Sequence, residues 1–125
     1  MTCTDGGTPV FGEGSVHPRA YGAFTRKLRD FALDREVITL AFAVRGMTSL
    51  AAGFYGMSQR GTIAEGFYAD IAVFDEERVR DRATYEEPHQ YSEGTVHVLV
   101  NGKLAFENGR PTGALSGRPL PRASE

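Results

Sequence analysis

The sequence has a single cysteine, Cys3, so no intramolecular disulfide can brace it and no CxxC pair is available to grip a metal. Tryptophan is absent, and the three histidines, His17, His89 and His97, never fall at the H-x-H or H-E-x-x-H spacings of a zinc site. Scattered as these donors are, no self-contained metal centre is expected, and the isolated chain is expected to hold no cofactor. There is no excess of charge of one sign: 14 Lys and Arg stand against 16 Asp and Glu, a formal net charge of -2. A nucleic acid or an anionic membrane would meet no basic field, which excludes both as expected partners. No apolar run is long enough to span a bilayer, and no signal-peptide pattern opens the chain, so the default expectation is cytoplasmic. Phosphate-binding glycine motifs and the G-x-S-x-G nucleophile elbow are missing as well.

What the chain does have is glycine, 15 in 125 residues, well above the usual ~7%. The length suits one domain. Gly6, Gly7, Pro9, Gly12 and Gly14 punctuate residues 6–17 and read as a loop. Loops of about a dozen residues are often binding elements. Tyr21, Phe24, Leu28 and Phe31 then recur at helical spacing, with Arg26, Lys27, Arg29 and Asp30 on the other face. Pro18 fits the first turn, whereas Gly22 weakens the start. Thr39 reads as the N-cap of a second helix that buries Leu40, Val44 and Met47. A short third helix starts at Ser49 and stops at Gly56.

After Gly56 the period becomes strand-like. Residues 70–75 read as a buried strand bounded by charge, and residues 76–94 as a polar crossing without regular structure. Val96, Val98 and Val100 alternate with His97, which falls on the wetter face, and Asn101-Gly102 is a strong hairpin signal. Leu104 to Phe106 forms the return strand, ended by Asn108-Gly109, and the remainder reads as a tail laid over a surface or disordered. Few strands with open edges, beside helices with an apolar face, predict an α+β chain whose parts need partners and which tends to self-associate.

Four residues are candidates for chemistry. Asp5 precedes Gly6-Gly7, where a strand-end carboxylate projects and a substrate can approach the backbone; a solvated terminal Asp is the plain alternative. His17, Arg19 and Tyr21 stand at the loop-to-helix junction. Arg19 offers a rigid fork for a carboxylate, or fixes the loop by pairing with Glu13 or with a carboxylate on a missing part of the protein. Tyr21 also belongs to the apolar face and serves equally as core.

Several stretches together resemble the D-aminoacylase (N-acyl-D-amino-acid deacylase) family of the amidohydrolase superfamily. They are Thr4-Asp5-Gly6, His17-Pro18-Arg19-Ala20-Tyr21-Gly22, Ala69-Asp70-Ile71-Ala72-Val73-Phe74-Asp75, Asp81-Arg82-Ala83-Thr84-Tyr85, Pro88-His89-Gln90-Tyr91 and Val100-Asn101-Gly102. The strand around Asp70 followed by Val100-Asn101-Gly102 marks the superfamily; the stretch from His17 to Gly22 and those from Asp81 to Tyr85 and Pro88 to Tyr91 point to the branch. The resemblance implies a TIM barrel with a small β-sandwich. On that template residues 1–56 hold the last barrel strand end, the active-site loop and the closing helices; 57–110 are the C-terminal strands of the sandwich, and 111–125 a tail. It implies a C-terminal segment of a zinc-dependent hydrolase of N-acyl-D-amino acids, inactive alone and completed by an N-terminal barrel portion that brings the metal ligands. Asp5 would carry the family's last-strand aspartate, taking a proton from the metal-bound water and delivering it to the departing amine. Weak ligation of the metal is also open to Asp5. Arg19, with His17 and Tyr21, would bind the substrate. The competing readings are a non-catalytic binding or assembly module, or a subunit of a split amidohydrolase of dihydroorotase- or hydantoinase-like specificity.

Overall fold

The computed structural model describes residues 1–120. It contains helix α1 (Arg19–Arg26) running into a π-helical segment (Lys27–Asp34), helices α2 (Leu40–Met47) and α3 (Ser49–Phe54), and strands β1 (Ile71–Phe74), β2 (Thr95–Val100), β3 (Lys103–Glu107) and β4 (Arg110–Pro111). Among the described residues no helix is long and apolar enough to cross a membrane. The α+β content expected from sequence is present.

Two compact units divide the chain, and both are discontinuous. The first joins Thr2–Val44 to Asp75–Gly94; the second joins Arg45–Phe74 to the chain from Thr95 onward. Within the first unit, side chains of α1 and its π-helical continuation bond to the polar crossing. Arg29, expected on the solvated face, is mostly buried instead, and its guanidinium donates to the carbonyls of Val79 (2.9 Å), Glu76 (2.6 Å) and Glu77 (2.8 Å). Thr25 and Ser92 share a hydroxyl hydrogen bond of 2.6 Å, and the Ser92 hydroxyl donates to the Tyr21 carbonyl at 3.1 Å. Two peptide groups of the crossing also pair Arg80 with Glu93 in an antiparallel bridge.

Pro18 caps α1 as the first-turn signal predicted, its carbonyl accepting from the amides of Tyr21 (3.0 Å) and Gly22 (3.1 Å). Gly22 does not delay the helix. It is buried within it, and the Asp81 carboxylate fills the space where a Cβ would stand. A residue chosen for lack of volume reads, in sequence, like a residue chosen for flexibility. The predicted apolar face is only partly realised: Leu28 is buried, but Phe24 and Phe31 remain 46% and 40% exposed. From Lys27 the helix widens, with bonds of the i→i+5 kind such as Arg35 N–H to the Asp30 carbonyl (3.1 Å). Within that segment Leu28 and Ala32 are the buried residues.

Gly94 closes the crossing at φ +86°, with the Val79 backbone and the Arg78 carbonyl carbon where a side chain would begin. Val79 is only 1% exposed, so neither partner can retreat. Gly94→Ala therefore loses about 3 kcal/mol of stability, from the unfavourable φ and the overpacking together. A urea or thermal melt beside the parent chain checks this; a loss under about 0.5 kcal/mol would mean the crossing relaxes freely.

Thr39 caps α2 as predicted, its hydroxyl accepting the Phe42 amide at 3.1 Å. On α2 the residues turned fully inward are Ala43 and Gly46, while Leu40, Val44 and Met47 are half-buried. In the second unit α3 ends at Gly56 with both bonds of a Schellman motif, Met57 N–H to the Ala52 carbonyl (2.9 Å) and Gly56 N–H to that of Gly53 (3.3 Å).

The four strands form one antiparallel sheet in the order β1-β2-β3-β4. β1 pairs with β2 through Ile71↔Leu99 and Val73↔His97, and β2 with β3 through Val98↔Phe106. Asn101 (φ 49°) and Gly102 (φ 77°) make the predicted hairpin turn. β1 is an edge strand, and Val73 is 42% exposed, so the expectation of a buried strand does not hold within this chain. β2 is half-buried at every position, which leaves no wetter face for His97; its Nδ1 is buried without a hydrogen-bond partner. The expected tail begins instead as β4, entered through a second positive-φ pair, Asn108 (48°) and Gly109 (84°). Asn101 then ties the following chain down by donating to the Ser116 carbonyl at 2.7 Å. Residues 121–125 of the expected tail lie outside the described residues.

Candidate active site

Every predicted site residue belongs to the first unit. A cavity of about 400 Å³ is walled by Asp5, Gly6, Gly7, Thr8, Pro9, Val16, His17, Arg19 and Ala20. The glycine-rich loop thus forms most of the wall, and the two ends of the loop supply the charges.

Asp5 sits at φ 49°, a left-handed conformation that Asp tolerates better than most residues and that points a short side chain out of the extended chain. Its carboxylate is 86% exposed and lies 3.1 Å from Nη2 of Arg19, whose side chain is 44% exposed. Arg19 therefore pairs with Asp5 and not with Glu13. An ion pair so open to water is worth at most about 1 kcal/mol, so a competing carboxylate meets little resistance.

His17 lines this cavity and a neighbouring one of about 390 Å³ that is bordered by Arg26, Lys27, Asp81 and Tyr85. Its Nδ1 accepts the Arg19 backbone N–H at 3.0 Å, so in the neutral ring the proton is on Nε2, which lies 3.1 Å from the Tyr85 hydroxyl. The ring meets Tyr85 edge-on at 5.1 Å. Both nitrogens are thus committed to fixing the junction that presents Arg19.

Tyr21 is not brought to the cavity with the other three. Its hydroxyl lies 3.1 Å from Nδ1 of His89, and its ring packs edge-on against Phe11, His89 and Tyr91. Phe11 in turn stacks on Tyr91 at 4.7 Å. His89, Tyr85 and Tyr91 carried no role in the sequence reading. The available signal was that they fall in the two narrow stretches, Asp81 to Tyr85 and Pro88 to Tyr91, whose lack of regular structure hid what they touch.

Among the described residues no three of His, Cys, Asp and Glu cluster closely enough to hold a metal ion. His17 and His89 have both ring nitrogens engaged, and Asp5 faces a guanidinium. These residues do not by themselves fit a zinc site.

Residues 12–106 match the amidohydrolase family. This chain belongs to it. Over 110 residues the amidohydrolase chain is 41% identical to an N-acyl-D-glutamate deacylase of Alcaligenes xylosoxydans xylosoxydans, covering 88% of this chain and 22% of that protein. It is 39% identical over 108 residues to a D-aminoacylase of the same organism, covering 86% and 22%. A crystal structure of N-acyl-D-glutamate deacylase from Bordetella bronchiseptica, complexed with zinc and a phosphonate mimic of the tetrahedral intermediate, superposes with a TM-score of 0.78 at 41% identity. That match covers 87% of this chain and 23% of the other. The amidohydrolase chain therefore spans about a fifth of the length of the relatives it matches.

Proposed function

We propose that this chain supplies the base and the carboxylate-recognition residue of a hydrolase that cleaves the amide bond of N-acyl-D-amino acids. The observation that carries the reading is the facing of Asp5 and Arg19 at 3.1 Å on the rim of one cavity. A substrate with an amide and a free carboxylate has the complementary pair of groups. Arg19 takes the carboxylate with two parallel N–H···O bonds, displacing Asp5 from its weak ion pair. The released Asp5 then takes a proton from the water attacking the acyl carbonyl and delivers it to the departing amine nitrogen. His17, turned by Tyr85, holds the Arg19 backbone; Tyr21 acts at one remove, through His89.

On this reading residues 1–56 close a TIM barrel and residues 57–110 complete a small β-sandwich, with the zinc ligands supplied by other parts of the enzyme. The zinc in the related Bordetella structure and the coverage of about a fifth both support that division of labour. So do the exposed Phe24, Phe31, Val37 and Phe42 of the helical unit, an apolar set that a barrel would cover.

The test replaces the matching segment of the Alcaligenes N-acyl-D-glutamate deacylase with this chain and measures release of free amino acid in the presence of zinc. Hydrolysis of N-acyl-D-amino acids, with the L-enantiomers at least about tenfold slower, is expected. Opening of a cyclic amide of the dihydroorotate kind, with linear N-acyl-D-amino acids untouched, would overturn the substrate assignment.

A further inference from the structure

We infer that His89 is a positioning residue that fixes the glycine-rich loop and thereby the shape of the Asp5 cavity. The inference rests on the proposed function for its consequence in catalysis, but the clamp itself stands on the geometry alone. Nδ1 of His89 accepts the Gly12 N–H at 3.1 Å, and Nε2 lies 3.0 Å from the Gly14 carbonyl. A backbone N–H can only donate and a carbonyl can only accept. In the neutral ring the proton is therefore on Nε2, and the imidazole spans the two arms of the loop tip as a third peptide would. The Tyr21 hydroxyl at 3.1 Å fixes the ring from α1, and Phe11 is packed between Tyr21, His89 and Tyr91.

The loop needs such an anchor. Gly12 and Gly14 lie at φ 82° and 66°, conformations that glycine adopts without penalty but does not enforce, and the tip makes one internal turn bond, Glu13 N–H to the Val10 carbonyl at 3.2 Å. Thr8, Pro9 and Val16 of the same loop line the cavity that holds Asp5 and Arg19. Releasing the tip at His89 lets that wall move, whereas Asp5 and Arg19 keep their chain positions. On the proposed function that wall receives the acyl chain or side chain of an N-acyl-D-amino acid, so His89 governs substrate fit through the loop.

Three measurements test this. In the unmodified chain, nitrogen NMR of the imidazoles should show the neutral ring of His89 as the Nε2–H tautomer; the opposite tautomer overturns the clamp without any mutation. Amide exchange in His89→Ala should accelerate at Gly12 by about tenfold while the β2–β3 amides stay unchanged, and His89→Asn, which keeps an acceptor near the Nδ1 position, should restore most of the protection. Equal exchange at Gly12 in all three proteins overturns it. In the reconstituted enzyme His89→Ala should raise KM about tenfold with kcat within about threefold, and His89→Asn should recover most of it. Faster exchange with both constants unchanged would show that the loop is clamped but does not shape the site. If even the parent hydrolyses no N-acyl-D-amino acid, the deacylase reading fails, while the tautomer and the exchange still decide on the clamp.

Discussion

Asp5→Asn in the reconstituted enzyme is expected to lower kcat by about 10²-fold or more, because the amide keeps the shape of the side chain and removes the one carboxylate that the described residues place on the cavity rim. The substitution also dissolves the ion pair with Arg19, but both groups are open to water, so stability should hardly change. Circular dichroism and the melting midpoint separate the two effects. Loss of turnover in a protein that melts like the parent places Asp5 in the proton transfers. Turnover within a few-fold of the parent removes it from the mechanism and leaves it as an exposed acid paired with Arg19. Asp5 at φ 49° has a further bearing here: Asn tolerates the left-handed region as well as Asp does, so Asp5→Asn is cleaner than Asp5→Ala.

Arg19→Lys is expected to raise KM for the free acid by about 10- to 100-fold while leaving the uncharged substrate amide nearly unaffected. Lysine keeps the charge and loses the planar fork, so the comparison isolates two-point recognition of a carboxylate. The structure already has Arg19 holding one carboxylate, that of Asp5, at 3.1 Å. If the two substrates suffer alike, the pairing with Asp5 is what Arg19 is for, and its role is to hold the loop ends together. The two outcomes differ in additivity for the double variant as well. A recognition role leaves Asp5→Asn and Arg19→Lys affecting different constants, kcat and KM; a purely structural pair makes the second change cost little once the first is made.

How much of this was legible in the sequence depended on how far each residue had to look for its partner. The Thr39 cap, the stop at Gly56 and the Asn101-Gly102 turn are settled within a few residues, and local chemistry announced them. The loop from Gly6 to His17 and the collection of Asp5, His17 and Arg19 around it were readable for the same reason, being bounded by a proline and a run of glycines. Tyr21 was equally visible, yet its hydroxyl is spent on a ring 68 residues away, which no pattern on α1 discloses. Arg29 looked like surface because it alternates with charged neighbours; three backbone carbonyls some 50 residues on make it interior. The 3.6-residue count puts Phe24 and Phe31 on the inward face of the helix with Leu28, yet within this chain only Leu28 is covered. His89 shows the limit most clearly. Its partner Gly12 is 77 residues away, and nothing around Pro88-His89-Gln90-Tyr91 says that a glycine loop is waiting for it.

The interleaving of the two compact units has a consequence for how this chain can be divided. Each unit is assembled from separated stretches, the first from Thr2–Val44 and Asp75–Gly94 and the second from what lies between and after them. The chain passes from one to the other and back, so no single cut releases either unit whole. A nick in the glycine-rich region around Gly61 to Gly66 would leave Asp5, His17 and Arg19 on one fragment and Tyr85, His89 and Tyr91 on the other. Shuffling of gene segments meets the same obstacle: a crossover placed anywhere from α2 to β1 would pair one parent's loop with another parent's clamp. The stretch that carries the charges and the stretch that orients them are thus inherited together or mismatched, although dozens of residues of sequence separate them.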